Sequence, residues 1–103
     1  MNSAEIKVIT AVWQDQLDLS HFKADVVNID SMQVVDDNGC PGNELVGVVS
    51  DYKNKSFTIY HTRSLEEEDV VHELLHVKHP TMDHNKIESL TELLIDRRNN
   101  SGC

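Results

Sequence analysis

The chain is poor in cysteine. Two among 103 residues do not make a disulfide framework. Cys103 ends a polar run, Asn99-Asn100-Ser101-Gly102-Cys103, that reads as a flexible tail, and Cys40 sits in the loop Asp36-Asp37-Asn38-Gly39-Cys40-Pro41-Gly42. Basic residues are scarce too. Lys and Arg total 9 against 18 Asp and Glu, a net charge of −9, where nucleic-acid or anionic-membrane binding calls for a basic patch. No apolar run approaches membrane-spanning length, and the first 20 positions lack the form of a signal peptide. The expectation is a protein of the cytoplasm. Internal repeats and low-complexity segments are absent. Hydrophobic content of 39% is a little low for a globular domain, and the length supports one core. We expect a single domain over residues 1–98, with 99–103 as the tail.

Against this plain background one stretch stands out: His72-Glu73-Leu74-Leu75-His76, an H-E-x-x-H pattern. Chance gives roughly 0.03 occurrences in a chain of this composition. Its setting is helical. Ser64 followed by Glu66, Glu67 and Glu68 reads as a helix start, with a capping hydroxyl and acids against the positive end of the dipole. Val70, Val71, Leu74 and Leu75 form an apolar arc, with His72 and His76 on the neighbouring arc. Residues four apart lie one turn above each other, so the two imidazoles can hold one metal ion. Glu73, beside them, can take a proton from water at that ion. The bland reading is a pair of partly buried histidines, which would need a compensating partner.

A hydrolytic zinc site takes a third protein ligand and leaves a fourth position for water. Downstream, Asn85-Lys86-Ile87-Glu88 has the form of a capping box, and a second helix is expected from about Asn85 to Arg97. Its inward face is Ile87, Leu90, Thr91 and Leu94, with Leu93 and Ile95 flanking. Pro80 breaks the chain between the helices, so they should pack antiparallel. Glu88 then arrives level with the metal, and Glu92 about 6 Å deeper. Glu88 is the expected ligand and Glu92 the acceptor that orients His72. A later start of the second helix would instead bring Glu92 to the metal, with Asp96 behind it. The H-E-x-x-H-x-x-G-x-x-H pattern fails, because Met82 and His79 stand where it needs His and Gly. His84 is displaced by two residues and could still swing in; His79 and His84 are expected as solvent-facing turn residues. His21 and His61 are isolated.

H-E-L-L-H on one helix and E-x-x-x-E on the next resemble the gluzincin clan of zinc peptidases, over residues 55–96. The size is similar to its smallest single-domain members, the minigluzincins, and to small phage-type metallopeptidases. The resemblance implies one Zn2+ held by His72, His76 and Glu88, with Glu73 as general base and acid and Glu92 supporting a histidine. It implies an extended peptide or protein substrate lying against the edge strand Leu45-Val46-Gly47-Val48-Val49. Many members have a longer gap before the ligand glutamate, which leaves Glu88 and Glu92 as alternatives. No oxyanion-stabilising residue is assigned, and a partner protein that completes the cleft is one expectation. Two other functions compete. One is a non-catalytic or latent zinc-binding regulatory module. The other is a metal-dependent amidase or deformylase using Cys40, although the deformylase glycine/glutamine motif is missing from the N-terminal part.

The scaffold reads as α+β, a minimal zincin-like domain. Ile6, Ile9, Trp13 and Leu17 recur at helical spacing over Ser3 to about Leu19, with Trp13 as a core anchor. Strands are expected over Asp25–Val35, with a break near Asp30-Ser31, then Glu44–Ser50 and Lys55–His61. Asp51–Asn54 turns the last two into antiparallel neighbours. The sheet should be mostly antiparallel and packed on the helices. Gly47 in mid-strand suggests close approach of another backbone or a β-bulge.

Overall fold

The computed structural model describes residues 1–101, with side chains to Arg97. Helix α1 (Ser3–Gln16) starts at a capping box in which Asn2 accepts from the Glu5 N–H at 2.9 Å. It stops at Gln16, short of Leu19, because Leu17 leaves the helical region and Asp18 takes a positive φ of 61°. Gln14 then holds the reversed chain, donating to Leu19 O and Phe22 O. Lys78 donates to the freed Leu17 carbonyl at 2.7 Å.

Strand β1 (Lys23–Asn28) follows, shorter than expected. The break near Asp30 is real: Asp30 caps a 3-10 turn over Ser31–Gln33, and no strand resumes before Val46. Strands β2 (Val46–Asp51) and β3 (Ser56–His61) form the expected hairpin, closed by Asp51 accepting from both Asn54 nitrogens. The strand order is β1-β3-β2. β1 pairs with β3 in parallel, so the sheet is mixed and not mostly antiparallel. The register runs unbroken from Val46↔His61 to Asp51↔Ser56, so Gly47 makes no bulge. Strands β1 and β2 are the two edges.

Helix α2 (Glu67–Lys78) is capped at Glu66 and not at Ser64: the Asp69 carboxylate accepts from the Glu66 N–H at 2.8 Å. Leu65 and Val70, both fully buried, stand in the positions of a hydrophobic staple. His79 ends the helix just before Pro80. Helix α3 (His84–Ser101) starts one residue earlier than expected. Asp83, not Asn85, supplies the capping oxygen, accepting from the Asn85 N–H at 3.0 Å. α3 also runs on through residues 99–101, which the sequence had suggested as tail. Gly102 and Cys103 lie outside the described residues.

The core sits between the inner sheet face and the helices. Phe57 and Ile59 of β3 meet Val70, Val71, Leu74 and Leu75 of α2 and Ile87 of α3, all at most 2% exposed. Trp13 is 1% exposed and donates its ring N–H to Glu67 at 2.7 Å, pinning α1 to the start of α2. On α3 the inward stripe is Ile87, Thr91 and Ile95, with Leu90 and Leu94 partly covered and Leu93 exposed. Tyr52, at the hairpin, donates to Val77 O at 2.7 Å and ties the sheet to the far end of α2. Among the described residues no helix is long and apolar enough to cross a membrane.

Candidate metal centre

The apolar arc of α2 is buried, so its neighbouring arc lies at the margin of the core, where His72 and His76 are half-buried. Their Nε2 atoms face each other 3.1 Å apart. Two imidazoles on one tetrahedral zinc, each nitrogen 2.0–2.1 Å away, have a nitrogen–nitrogen separation of about 3.3 Å. The pair, here hydrogen-bonded ring to ring, is thus spaced within a few tenths of an ångström of what one ion would need. Burial holds both rings below the ordinary imidazole pKa; the charges of His76 and His84 add to this for His72, and that of His84 for His76. Neutral rings with free lone pairs are what a metal requires.

The third ring is His84. As the first residue of α3 it stacks on His76 at a centroid separation of 5.6 Å and meets His72 edge-on at 4.8 Å. The ligand atoms of His72, His76 and His84 all lie within 4.8 Å of one another. Sequence reasoning expected His84 in solvent and left open that it could swing in to the site. Its side chain is indeed 61% exposed, but it reaches the site from the rim. The signal available was Asp83, whose capping oxygen sets His84 at the helix start and aims the first turn of α3 at α2.

Glu88 stands one turn along α3. Its Oε1 lies 3.2 Å from His84 Nε2, and it is 57% exposed. Among the described residues the three-histidine group forms without it. Glu92 lines the same cleft a further turn along. This cleft encloses ≈ 370 Å³ and is walled by α2, α3, Arg63 and Val46 of the β2 edge.

Glu73 is the unusual group. It is 5% exposed and its carboxyl is pushed up to about 7, first by burial and then by the charge of Asp69. A carboxyl with that affinity for a proton is suited to take one up and return it near neutral pH. Asp69 itself is raised by burial, but hydrogen bonds from Arg63 and the Glu66 N–H outweigh this and hold it low. Arg63 grips Asp69 with two bonds of 2.8 and 2.9 Å.

The remaining candidates lie elsewhere. His61 is buried, with Nδ1 2.8 Å from Arg63 O, on the β1 side of the domain. His79 caps α2, and His21 packs edge-on against Phe22. Cys40 is an exposed loop thiol whose N–H is held by Asp36. Among the described residues it is not part of the histidine group. Compared with known proteins, the chain matches no family model, no curated protein and no solved structure.

Proposed function

We propose that the chain is a minimal zinc-dependent metallopeptidase. The observation that carries this reading is the buried Glu73 carboxyl, raised to about 7, between two histidines whose Nε2 atoms lie 3.1 Å apart. His72 and His76 hold the zinc. The third ligand comes from the first two turns of α3, where the grouping favours His84 and leaves Glu88 as the acceptor that orients its ring. Zinc bound there would supply Lewis acidity toward water and a carbonyl. Glu73 would be the group that accepts a proton and returns one to the departing amine. The burial that raises its affinity also keeps the carboxylate from being solvated away from the task.

The substrate is an extended peptide laid along the β2 edge. Val46 reaches the cleft, and Gly47 and Val48 continue the edge away from it. Free backbone groups along this edge bind a strand without demanding a sequence. Both His84 and Glu88 are more than half exposed at the rim. This favours a second reading, in which the centre stays latent until a partner protein covers that rim.

The test is metal content followed by turnover. Purified protein should hold one zinc ion by mass spectrometry, and Glu73→Gln should keep the zinc while losing cleavage of a peptide library. Failure to hold zinc under supplementation overturns the reading. Zinc without turnover, restored by no partner, leaves a binding module.

A further inference from the structure

The cleft over the candidate metal centre is lined by five carboxylates, Glu68, Asp69, Glu73, Glu88 and Glu92, against one permanent cation, Arg63. Some of this charge is already answered. Arg63 is held by Asp69 in two bonds of 2.8 and 2.9 Å, and Glu88 lies 3.2 Å from His84. Glu68 and Glu92 have neither an ion pair nor a hydrogen bond among the described residues. Even with a divalent ion on the histidines and Glu73 ionised, the carboxylates of the lining outnumber its positive charges by two.

The unanswered pair sits at one end of the cleft. Glu68 stands one turn before His72 on α2. His84, at the start of α3, meets the rings of His72 and His76, and α3 runs back along α2 from there. Glu92, two turns beyond His84, therefore comes toward the start of α2 as well. Both line the cleft with Val46, where the β2 edge enters it. Glu73 lies deeper, 5% exposed, and has no hydrogen-bond partner among the described residues. A buried carboxyl of this kind awaits a partner from outside the fold. In the proposed reaction that partner is water, which leaves Glu68 and Glu92 for the substrate. A second metal ion does not fit them. Among the described residues only His72, His76 and His84 bring ligand atoms close enough to share an ion. Carboxylates that flank a cleft without converging suit a longer cation, with its charge at the end of an apolar stem.

We infer that this end of the cleft selects a Lys or Arg side chain of the bound peptide, at the residue beside the scissile bond that lies toward the start of α2. The charged tip sits between Glu68 and Glu92, and the aliphatic stem passes Val46. The inference rests on the peptidase reading for the path of the peptide. Pairing along the β2 edge demands no sequence, so the preference comes from the acidic end. An exposed ion pair is worth about two- to fivefold, so two carboxylates should favour a basic residue over an uncharged one roughly tenfold.

Short alanine-rich peptides that carry Lys, norleucine or Glu at a single central position test this. Zinc-loaded protein should cleave the Lys peptide with a kcat/KM about tenfold above that of the norleucine peptide, and the Glu peptide slowest. In the Glu68→Gln/Glu92→Gln double variant the Lys advantage should fall below about twofold. The advantage is a ratio within one protein, so a change in zinc content or stability does not move it. Fluorescence anisotropy with metal-free protein repeats the comparison as binding. Cleavage without a Lys advantage, or with one that the double variant keeps, overturns the inference and leaves the peptidase reading. Lys-selective binding that the double variant loses, with no cleavage of any peptide, supports the inference and overturns the peptidase reading. Neither cleavage nor binding overturns both.

Discussion

His84 Nε2 and Glu88 Oε1 lie 3.2 Å apart across one turn of α3, and this contact orders the two residues around the candidate metal centre. His84 meets both α2 rings, while Glu88 meets His84. His84→Ala should therefore cost zinc affinity most, since only two ligands then remain. Glu88→Ala should cost on the order of 10–100-fold, as the loss of an orienting acceptor does. Competition with a chromogenic chelator measures both. If Glu88→Ala abolishes zinc binding and His84→Ala does not, the carboxylate is the ligand and the His84 cluster is incidental.

The reading of α2 needed only local information. The acids at its start, the apolar arc and the histidine spacing all act within one helix, so element, burial and pairing follow together. What failed to show in the sequence was non-local. The parallel pairing of β1 with β3 joins segments more than thirty positions apart across a loop with a 3-10 turn, and strand composition is the same for either direction. His84 escaped because its place depends on how the segment 79–83 folds. Moving the capping residue from Asn85 to Asp83 turns the start of α3 by enough to bring a turn histidine into the cluster. The Thr10 hydroxyl, buried without a hydrogen-bond partner among the described residues, left no trace at all. A threonine at helical spacing in α1 looks like any other small core residue.

The raised Glu73 carboxyl makes metal-free protein sensitive to pH. In the unfolded chain this group releases its proton near 4.5, and in the fold near 7. Below 4.5 it is neutral in both states and costs nothing. As pH rises to 7 the unfolded chain gains from ionising and the fold does not, so stability falls by on the order of 1–3 kcal/mol. His72 and His76 act in the opposite sense, since their lowered pKa values cost stability as pH falls below the ordinary imidazole range. Comparison with Glu73→Gln cancels the histidines. In denaturant titrations of the metal-free proteins, the advantage of the variant should grow between pH 4.5 and 7 and then level off. A difference that does not change with pH would mean the carboxyl is not buried.

Thr10→Val should stabilise the domain. The substitution keeps the branched shape and removes a hydroxyl that is buried without a hydrogen-bond partner among the described residues. An unsatisfied group of this kind costs about 1–3 kcal/mol, so a gain of about 1 kcal/mol is expected by urea denaturation. A loss of stability would show that water or another group satisfies the hydroxyl in solution.

Gly47 separates the needs of the fold from those of the β2 edge. A Cβ added there would meet only the Leu45 Cδ1, at 3.7 Å, an ordinary contact, and φ at this position is not positive. The strand itself has no use for a glycine, since the ladder to β3 is regular on both sides of it. Gly47→Ala should therefore raise stability by roughly 0.5 kcal/mol through lower chain entropy in the unfolded state. Val46 and Val48 pack on the core, so by the strand period the added methyl points to the opposite sheet face and leaves the backbone groups of the edge free. If an extended substrate pairs along this edge, KM, kcat and zinc content should change little. Peptide cleavage measured across substrate concentration decides it. A KM raised severalfold in a stabilised Gly47→Ala protein would place the substrate against the outer sheet face and not along the β2 edge.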